Sequence, residues 1–312
     1  MARRTPSADD LARIARLELE AREIVEGFLT GPHRSPYFGA SLEFAQHREY
    51  VPGDDTRRLD WKVFSKTDKL YLKLYEEETN LRTLLLVDAS ESMQFGAGPA
   101  TTRRGRRRTR ENDSPTKFDT ACLIAASLAY LLLRQQDSVA LMTFDEGVRT
   151  QVAGRTSQRH LQTLLEALAT AKPTKKTGLF DVLLAAADQA SQRGLVTLIS
   201  DLFVPVDELK RGLSLLRQRR HEVLVLHTLD ARELAFDFTG TTRFVGLEDG
   251  GELTCEPRTL REGYLSALDE WLDDVRRVCG QTGCDYQLVR SDDAPSAVLA
   301  ELLARRKRPR RG

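Results

Sequence analysis

From residue 82 onward, short apolar runs alternate with longer segments in which apolar residues recur at spacings of three and four. The short runs are TLLLVD (83–88), SVALMTFD (138–145), LVTLISD (195–201), EVLVLHTLD (222–230) and CDYQLVRSD (284–292). Runs of this length, rich in Leu, Val and Ile, predict strands buried on both faces, as in a parallel sheet. The segments between and around them, 118–136, 157–171, 178–193, 206–220 and 257–279, carry the helical period. Strand and helix in alternation predict a doubly wound, mostly parallel α/β sheet.

Two other patterns precede this region. Residues 8–29 place Leu11, Ile14, Leu17, Ile24, Val25 and Phe28 on one helical stripe, which the Gly31-Pro32 pair ends. Residues 42–51 and 69–75 read as extended, with KLYLKLY alternating Leu70, Leu72 and Leu74 against Tyr71, Lys73 and Tyr75, and Pro52-Gly53 is a turn signal. The predicted organisation is an N-terminal helical segment (1–30), a segment with a small β layer (31–80), a main α/β domain (81–304) and a basic tail (305–312). Within the main domain, residues 99–116 are Arg-rich and aperiodic. That insertion and the tail are expected to be disordered, because such composition cannot bury enough apolar surface to offset ordering entropy.

Composition adds limits rather than direction. The chain has 312 residues, 41% hydrophobic and 30% charged, with a formal net charge of +1, so no global field recruits nucleic acid or a membrane surface. The basic stretches lack the interleaved aromatics that stack on bases, and nucleic acid is not an expected partner. The most apolar stretch, ACLIAASLAYLLL (121–133), falls short of the roughly 20 residues of a membrane-spanning helix, and the start has no apolar core of a signal peptide. No membrane contact and a cytoplasmic location are expected. Cys122, Cys255, Cys279 and Cys284 form no Cys-x-x-Cys pair and are expected to be reduced thiols, and the five histidines show no zinc spacing.

Candidate chemistry lies where the strands end. In open α/β sheets ligands gather at the carboxyl ends of the strands, and four of the five predicted strands meet an Asp there, while the fifth ends in two. The first continues as DASES, so Asp88, Ser90 and Ser92 can turn three oxygens toward one point. Hydroxyls with a few carboxylates suit a hard cation such as Mg2+. Thr177 starts TGLFDVLLAA at a loop-to-helix junction, and Asp201 closes LVTLISD.

Together these pieces resemble the metal-ion-dependent adhesion site of the von Willebrand factor A domain: Asp-x-Ser-x-Ser, a Thr on a helix-leading loop, and an Asp ending a later strand. The resemblance implies a Mg2+ (or Mn2+) site in which Ser90, Ser92 and Thr177 supply hydroxyl oxygens while Asp88 and Asp201 act directly or through water. It also implies an open metal position for a carboxylate of a protein partner. The segment EFAQHREYVPGDDTRRLDWKVFSKTDKLYLKLYEEE (43–78) closely resembles the one preceding the A-like domain in the bacterial family named domain of unknown function 58. The match runs through Arg48, Tyr50, Pro52, Gly53, Asp54, Asp55, Arg57, Asp60 and Trp61. Members are associated with MoxR-type AAA+ ATPases, which implies a non-enzymatic adaptor serving such an ATPase in assembling or activating other proteins. The insertion carrying Arg103, Arg104, Arg106, Arg107, Arg108 and Arg110 departs from the family pattern.

Alternatives remain. A metal-free structural or regulatory scaffold would use Asp88 and Asp201 as helix caps and the serines as loop solvation. A metal-assisted hydrolase would need a base that no nearby histidine supplies. Ser114 with Lys117, Lys176-Thr177-Gly178, and Ser291-Asp292-Asp293 echo fragments of a penicillin-recognising serine hydrolase, but in the wrong contexts and order.

Overall fold

The computed structural model describes residues 7–30, 46–50, 63–65, 69–74, 81–96, 115–190, 192–248 and 251–306. The chain divides into two compact units, residues 1–33 with 81–312, and residues 34–80. In the smaller unit, β1 (Gln46–Glu49) and β2 (Tyr71–Leu74) pair antiparallel with Gln46 opposite Leu74, in line with the extended patterns expected there. Of the family signature, Pro52 through Trp61 lies outside the described residues, as do the Arg-rich run 103–110 and the terminal basic tail 307–312.

The larger unit is built on six strands: β3 (Arg82–Asp88), β4 (Ser138–Phe144), β5 (Val148–Arg155), β6 (Leu195–Ser200), β7 (Glu222–Leu229) and β10 (Asp285–Arg290). Their order across the sheet is β10-β7-β6-β3-β4-β5, parallel throughout except for the antiparallel β4–β5 edge. The central strands behave as their sequences demand. All of β6 and all of β3 after Arg82 are buried, because helices cover both faces and leave no polar side. The fold is therefore a doubly wound α/β sheet with an N-terminal helix.

One face is covered by α4 (Leu179–Gln189), α5 (Val206–Gln218) and α7 (Pro257–Thr282). Leu179, Val182, Leu183, Ala186 and Ala187, at the spacing of one helical face, meet Leu84, Leu86, Leu198 and Val225 of the sheet in one core cluster. On the other face lie α2 (Lys117–Arg134) and α3 (His160–Thr170), with α1 (Ala8–Thr30) packed on both and on α8 (Pro295–Arg306). The predicted stripe of α1 is corrected at one position. Ile14, Leu17 and Val25 are buried together with Ala21, whereas Leu11 is 55% exposed.

Four further elements carried no clear signal. These are β5, the short helix α6 (Ala231–Ala235), and a separate antiparallel hairpin of β8 (Thr242–Val245) and β9 (Glu252–Cys255). The four cysteines are free thiols. Among the described residues no helix is long and apolar enough to cross a membrane.

Candidate metal centre

Strand order reverses between β3 and β6: the chain runs from β3 outward to β4 on one side and returns to place β6 on the other. A crevice opens at such a reversal beyond the carboxyl ends of the strands. Asp88 closes β3 there, and Asp201 follows Ser200, the last residue of β6. Both are fully buried.

The DASES spacing acquires its geometry from a tight local turn. Ser90 N donates to Asp88 Oδ1 at 2.9 Å, folding the chain back two residues after the strand. A 3-10 turn over Glu91–Gln94 then sets the Ser92 hydroxyl against that of Ser90, with the oxygens 3.0 Å apart. Two adjacent ligands of an octahedral ion bound at about 2.1 Å are separated by roughly 3.0 Å. The serine pair is joined by an ordinary hydroxyl–hydroxyl hydrogen bond whose length also matches one edge of a magnesium-sized octahedron.

The loop bearing Thr177 is fastened to this turn through its backbone. Thr174 N donates to Ala89 O and Glu91 N to Lys175 O, both at 2.8 Å, and Gly178 N donates to Asp145 O at 2.8 Å. Only glycine fits at 178, because a Cβ there would collide with the Glu146 carbonyl. Thr177 Oγ1 is buried and, among the described residues, has no hydrogen-bond partner. It does not cap α4, whose N-cap is Gly178 without a side-chain cap bond. A buried hydroxyl left unpaired costs about 1–3 kcal/mol. On a loop bonded to the serine turn, such a hydroxyl is chemically suited to serve as a ligand oxygen for a hard cation.

Asp88 is held by neutral donors only. Besides Ser90 N, its Oδ2 accepts from Ser200 Oγ at 2.5 Å, while Ser200 Oγ accepts from Leu202 N at 3.0 Å. Burial, and then the neighbouring Asp201 carboxylate, push Asp88 up to about 7. The centre is short of positive charge around this acid.

Asp201 is different. Its Oδ2 receives the Lys117 ammonium at 2.8 Å, and the same Nζ donates to Glu233 Oε1 at 2.8 Å. Lys117 is fully buried, opens α2, and lies 4.8 Å from the centre of the Phe203 ring. Burial alone would lower its pKa, but Asp201 and Glu233 outweigh this and hold it above the ordinary value. Glu233, at the third position of α6, remains raised by burial despite the ammonium. Glu233 is also the less deeply buried partner, so the ammonium is assigned chiefly to Asp201. The Asp201 carbonyl accepts from His227 Nε2–H at 2.9 Å, which leaves Nδ1 to accept from Tyr286. Burial lowers His227 to about 4, so the ring is neutral.

Asp88, Ser90 and Ser92 are thus gathered in one turn, with the Thr177 loop bonded to it, and Asp201 on the adjoining strand. The sequence reading missed Ser200, Lys117 and Glu233. Among the described residues no group of three or more His, Cys, Asp or Glu could hold a metal, so an ion at this centre would rest on hydroxyls. The donor set fits Mg2+ or Mn2+ on two counts, the serine spacing and the unpaired threonine. Of the hydrolase fragments, Ser114 lies outside the described residues, Lys117 is engaged by two carboxylates, and Ser291 Oγ donates to Asp230 at 2.8 Å.

The chain is 28% identical over 305 residues to the uncharacterized protein Mb1516 of Mycobacterium bovis, covering 95% of this chain and 90% of the relative. Among solved structures it is similar to an aerotolerance-related membrane protein from Bacteroides fragilis (13% identity, 72% of this chain and 97% of that one, TM-score 0.45). It is also similar to the SpRpn10 VWA domain (14% identity, 72% and 95%, TM-score 0.39). The expectation of a cytoplasmic chain is corrected by the first of these, which is a membrane protein. Over residues 46–270 the chain matches the family described as "Protein of unknown function DUF58", and it belongs to that family.

Proposed function

We propose that this protein is a non-catalytic interaction module whose carboxyl-edge crevice binds Mg2+ or Mn2+ and, through it, an acidic side chain of a protein partner. Ser90, Ser92 and Thr177 would hold the ion, with Asp88 and Asp201 balancing its charge. The bound ion supplies a Lewis-acidic position open to a carboxylate. The observation that carries the reading is the buried Thr177 hydroxyl without a partner, on a loop fastened to a serine pair at octahedral spacing.

The chain's own residues define what such a partner meets. Hydroxyl ligands are neutral, so they leave an ion's charge available to an incoming acid. Ser200 and the Ser90 amide fix both oxygens of Asp88 and prevent it from swinging into the open position. Half-exposed Phe203, stacked on Trp271 with ring centres 5.1 Å apart, offers an apolar shoulder two residues beyond Asp201. As a member of its family the module would act as adaptor for a MoxR-type AAA+ ATPase. Isothermal titration with Mn2+, followed by capture of that ATPase in Mg2+ and in chelator, tests both parts. No heat with Mn2+, or capture equal in the two buffers, would discard the metal-dependent reading.

One observation favours a second reading, the metal-free scaffold. Lys117 already gives Asp201 a cation, and a centre neutralised from within has less need of an ion from without.

A further inference from the structure

We infer that Lys117 is a tethered cation that competes with the divalent ion for Asp201 and thereby sets how tightly this centre takes up metal; the inference rests on the metal-dependent reading above. Three observations carry it. The ammonium is fully buried and sits on one oxygen of Asp201 at 2.8 Å, a position a lysine at a helix start does not take unless the surroundings hold it there. Among the described residues, the other oxygen of Asp201 accepts only from the Phe203 amide, at 3.4 Å. Third, the ammonium has an alternative acceptor, Glu233 Oε1, at an equal 2.8 Å.

The electrostatic consequence follows from counting charges. Asp88, Asp201 and Glu233 with Lys117 present fewer net negative charges to an incoming ion than the acids would alone, and inside a protein such a difference acts at reduced dielectric. Glu233 works in the opposite direction to Lys117. It shares the ammonium, drawing charge away from Asp201, and it is fixed for this by its reciprocal capping bond with Asp230, whose amide donates to Glu233 Oε2 at 2.8 Å. Lys117 is itself pinned, because its backbone amide donates to Phe95 O at 3.0 Å and Thr116 and Asp119 form a capping box around the start of α2. Lys117 and Glu233 are thus positioning residues of opposite sign, on two helices that supply no direct ligand.

The test uses the whole chain and Mn2+ as probe, reading affinity by electron paramagnetic resonance and the melting temperature with and without the ion. Lys117→Met should bind Mn2+ at least tenfold more tightly than wild type, and Mn2+ should raise its melting temperature more, because the ion then replaces the only cation at Asp201. Glu233→Gln should shift affinity the other way, several-fold weaker, and it serves as the deciding variant if Lys117→Met does not fold. A merely structural lysine predicts lower melting temperatures with no opposite movement of affinity. If wild type binds Mn2+ and neither variant changes the affinity in the expected direction, this inference fails while the metal reading stands. If neither wild type nor Lys117→Met binds Mn2+, both fail.

Discussion

Four buried aspartates stand side by side at the carboxyl edge of the sheet, and they divide into two kinds. The outer pair, Asp145 after β4 and Asp230 after β7, is consumed by the fold. Asp145 accepts from Arg149 and Thr174, while Asp230 caps α6 through Arg232 N, receives Arg232 Nε and accepts from Ser291. The inner pair, Asp88 and Asp201, flanks the point where strand order reverses. Asp88 has only neutral donors, and Asp201 has a single ammonium that it shares with Glu233. An acid at a strand end is therefore no site in itself. What distinguishes the inner pair is incomplete neutralisation beside a serine turn and a Thr177 hydroxyl that has no partner among the described residues.

The comparison makes different forecasts for the two kinds. The largest effect belongs to Asp88→Ala, which should weaken Mn2+ binding at least about 100-fold while stability changes by less than about 1 kcal/mol. Removing the carboxylate loses two hydrogen bonds but also relieves a buried charge. Calorimetric titration and thermal unfolding of the same samples check both halves, and a large stability loss with intact Mn2+ binding would place Asp88 with the outer pair. Asp230→Ala is the mirror experiment. Loss of the α6 cap and of the Ser291 bond should cost about 2 kcal/mol, with Mn2+ affinity within about twofold of wild type.

Thr177→Ala comes next. Mn2+ affinity should fall about tenfold, and stability in chelator should be unchanged or rise by up to about 1 kcal/mol, because the variant no longer buries an unpaired hydroxyl. A stability loss of about 1 kcal/mol with no effect on metal would mean that the hydroxyl is structural after all. The smallest effect is expected from deleting residues 99–114. Phe95 O accepts from Lys117 N, and Gly96 lies so close to Thr116 that a Cβ on the glycine would be 2.5 Å from its Cα. The chain on either side of the deletion is thus already joined. Melting temperature should move by no more than about 2 °C, and Mn2+ affinity should stay at the wild-type value. A change in affinity would tie the deleted residues to the inner pair.

Legibility in the sequence tracked how local the cause was. Four of the five parallel strands could be read because each is an apolar run buried between helices, the edge strand β10 (DYQLVR) by its alternation of covered and half-covered positions, and the DASES turn because its hydrogen bonds span two residues. β5 could not, since an antiparallel edge strand with VRTQVAGR leaves most of its side chains half-covered or in solvent and shows no apolar run. Leu11 fits the stripe of α1 by spacing, yet it is left exposed near the helix start. Ser200 was hidden inside LVTLIS, where one hydroxyl in a buried strand reads as filler. Lys117 was the hardest to foresee. At the head of a helix, just after a long basic stretch, a lysine reads as solvated, and its two acidic partners lie 84 and 116 residues away along the chain.

The bond between Phe95 and Lys117 has a consequence for how this fold tolerates change. It closes a neck, and a closed neck makes the fold indifferent to what is threaded beyond it. Loop-closure entropy grows only with the logarithm of length, by about 0.6 kcal/mol for each doubling. Segments of very different size can therefore be exchanged at this point by recombination without renegotiating the sheet or the helices. The neck is an evolutionary docking port, closed by the backbone of the same lysine whose ammonium reaches Asp201 in the crevice.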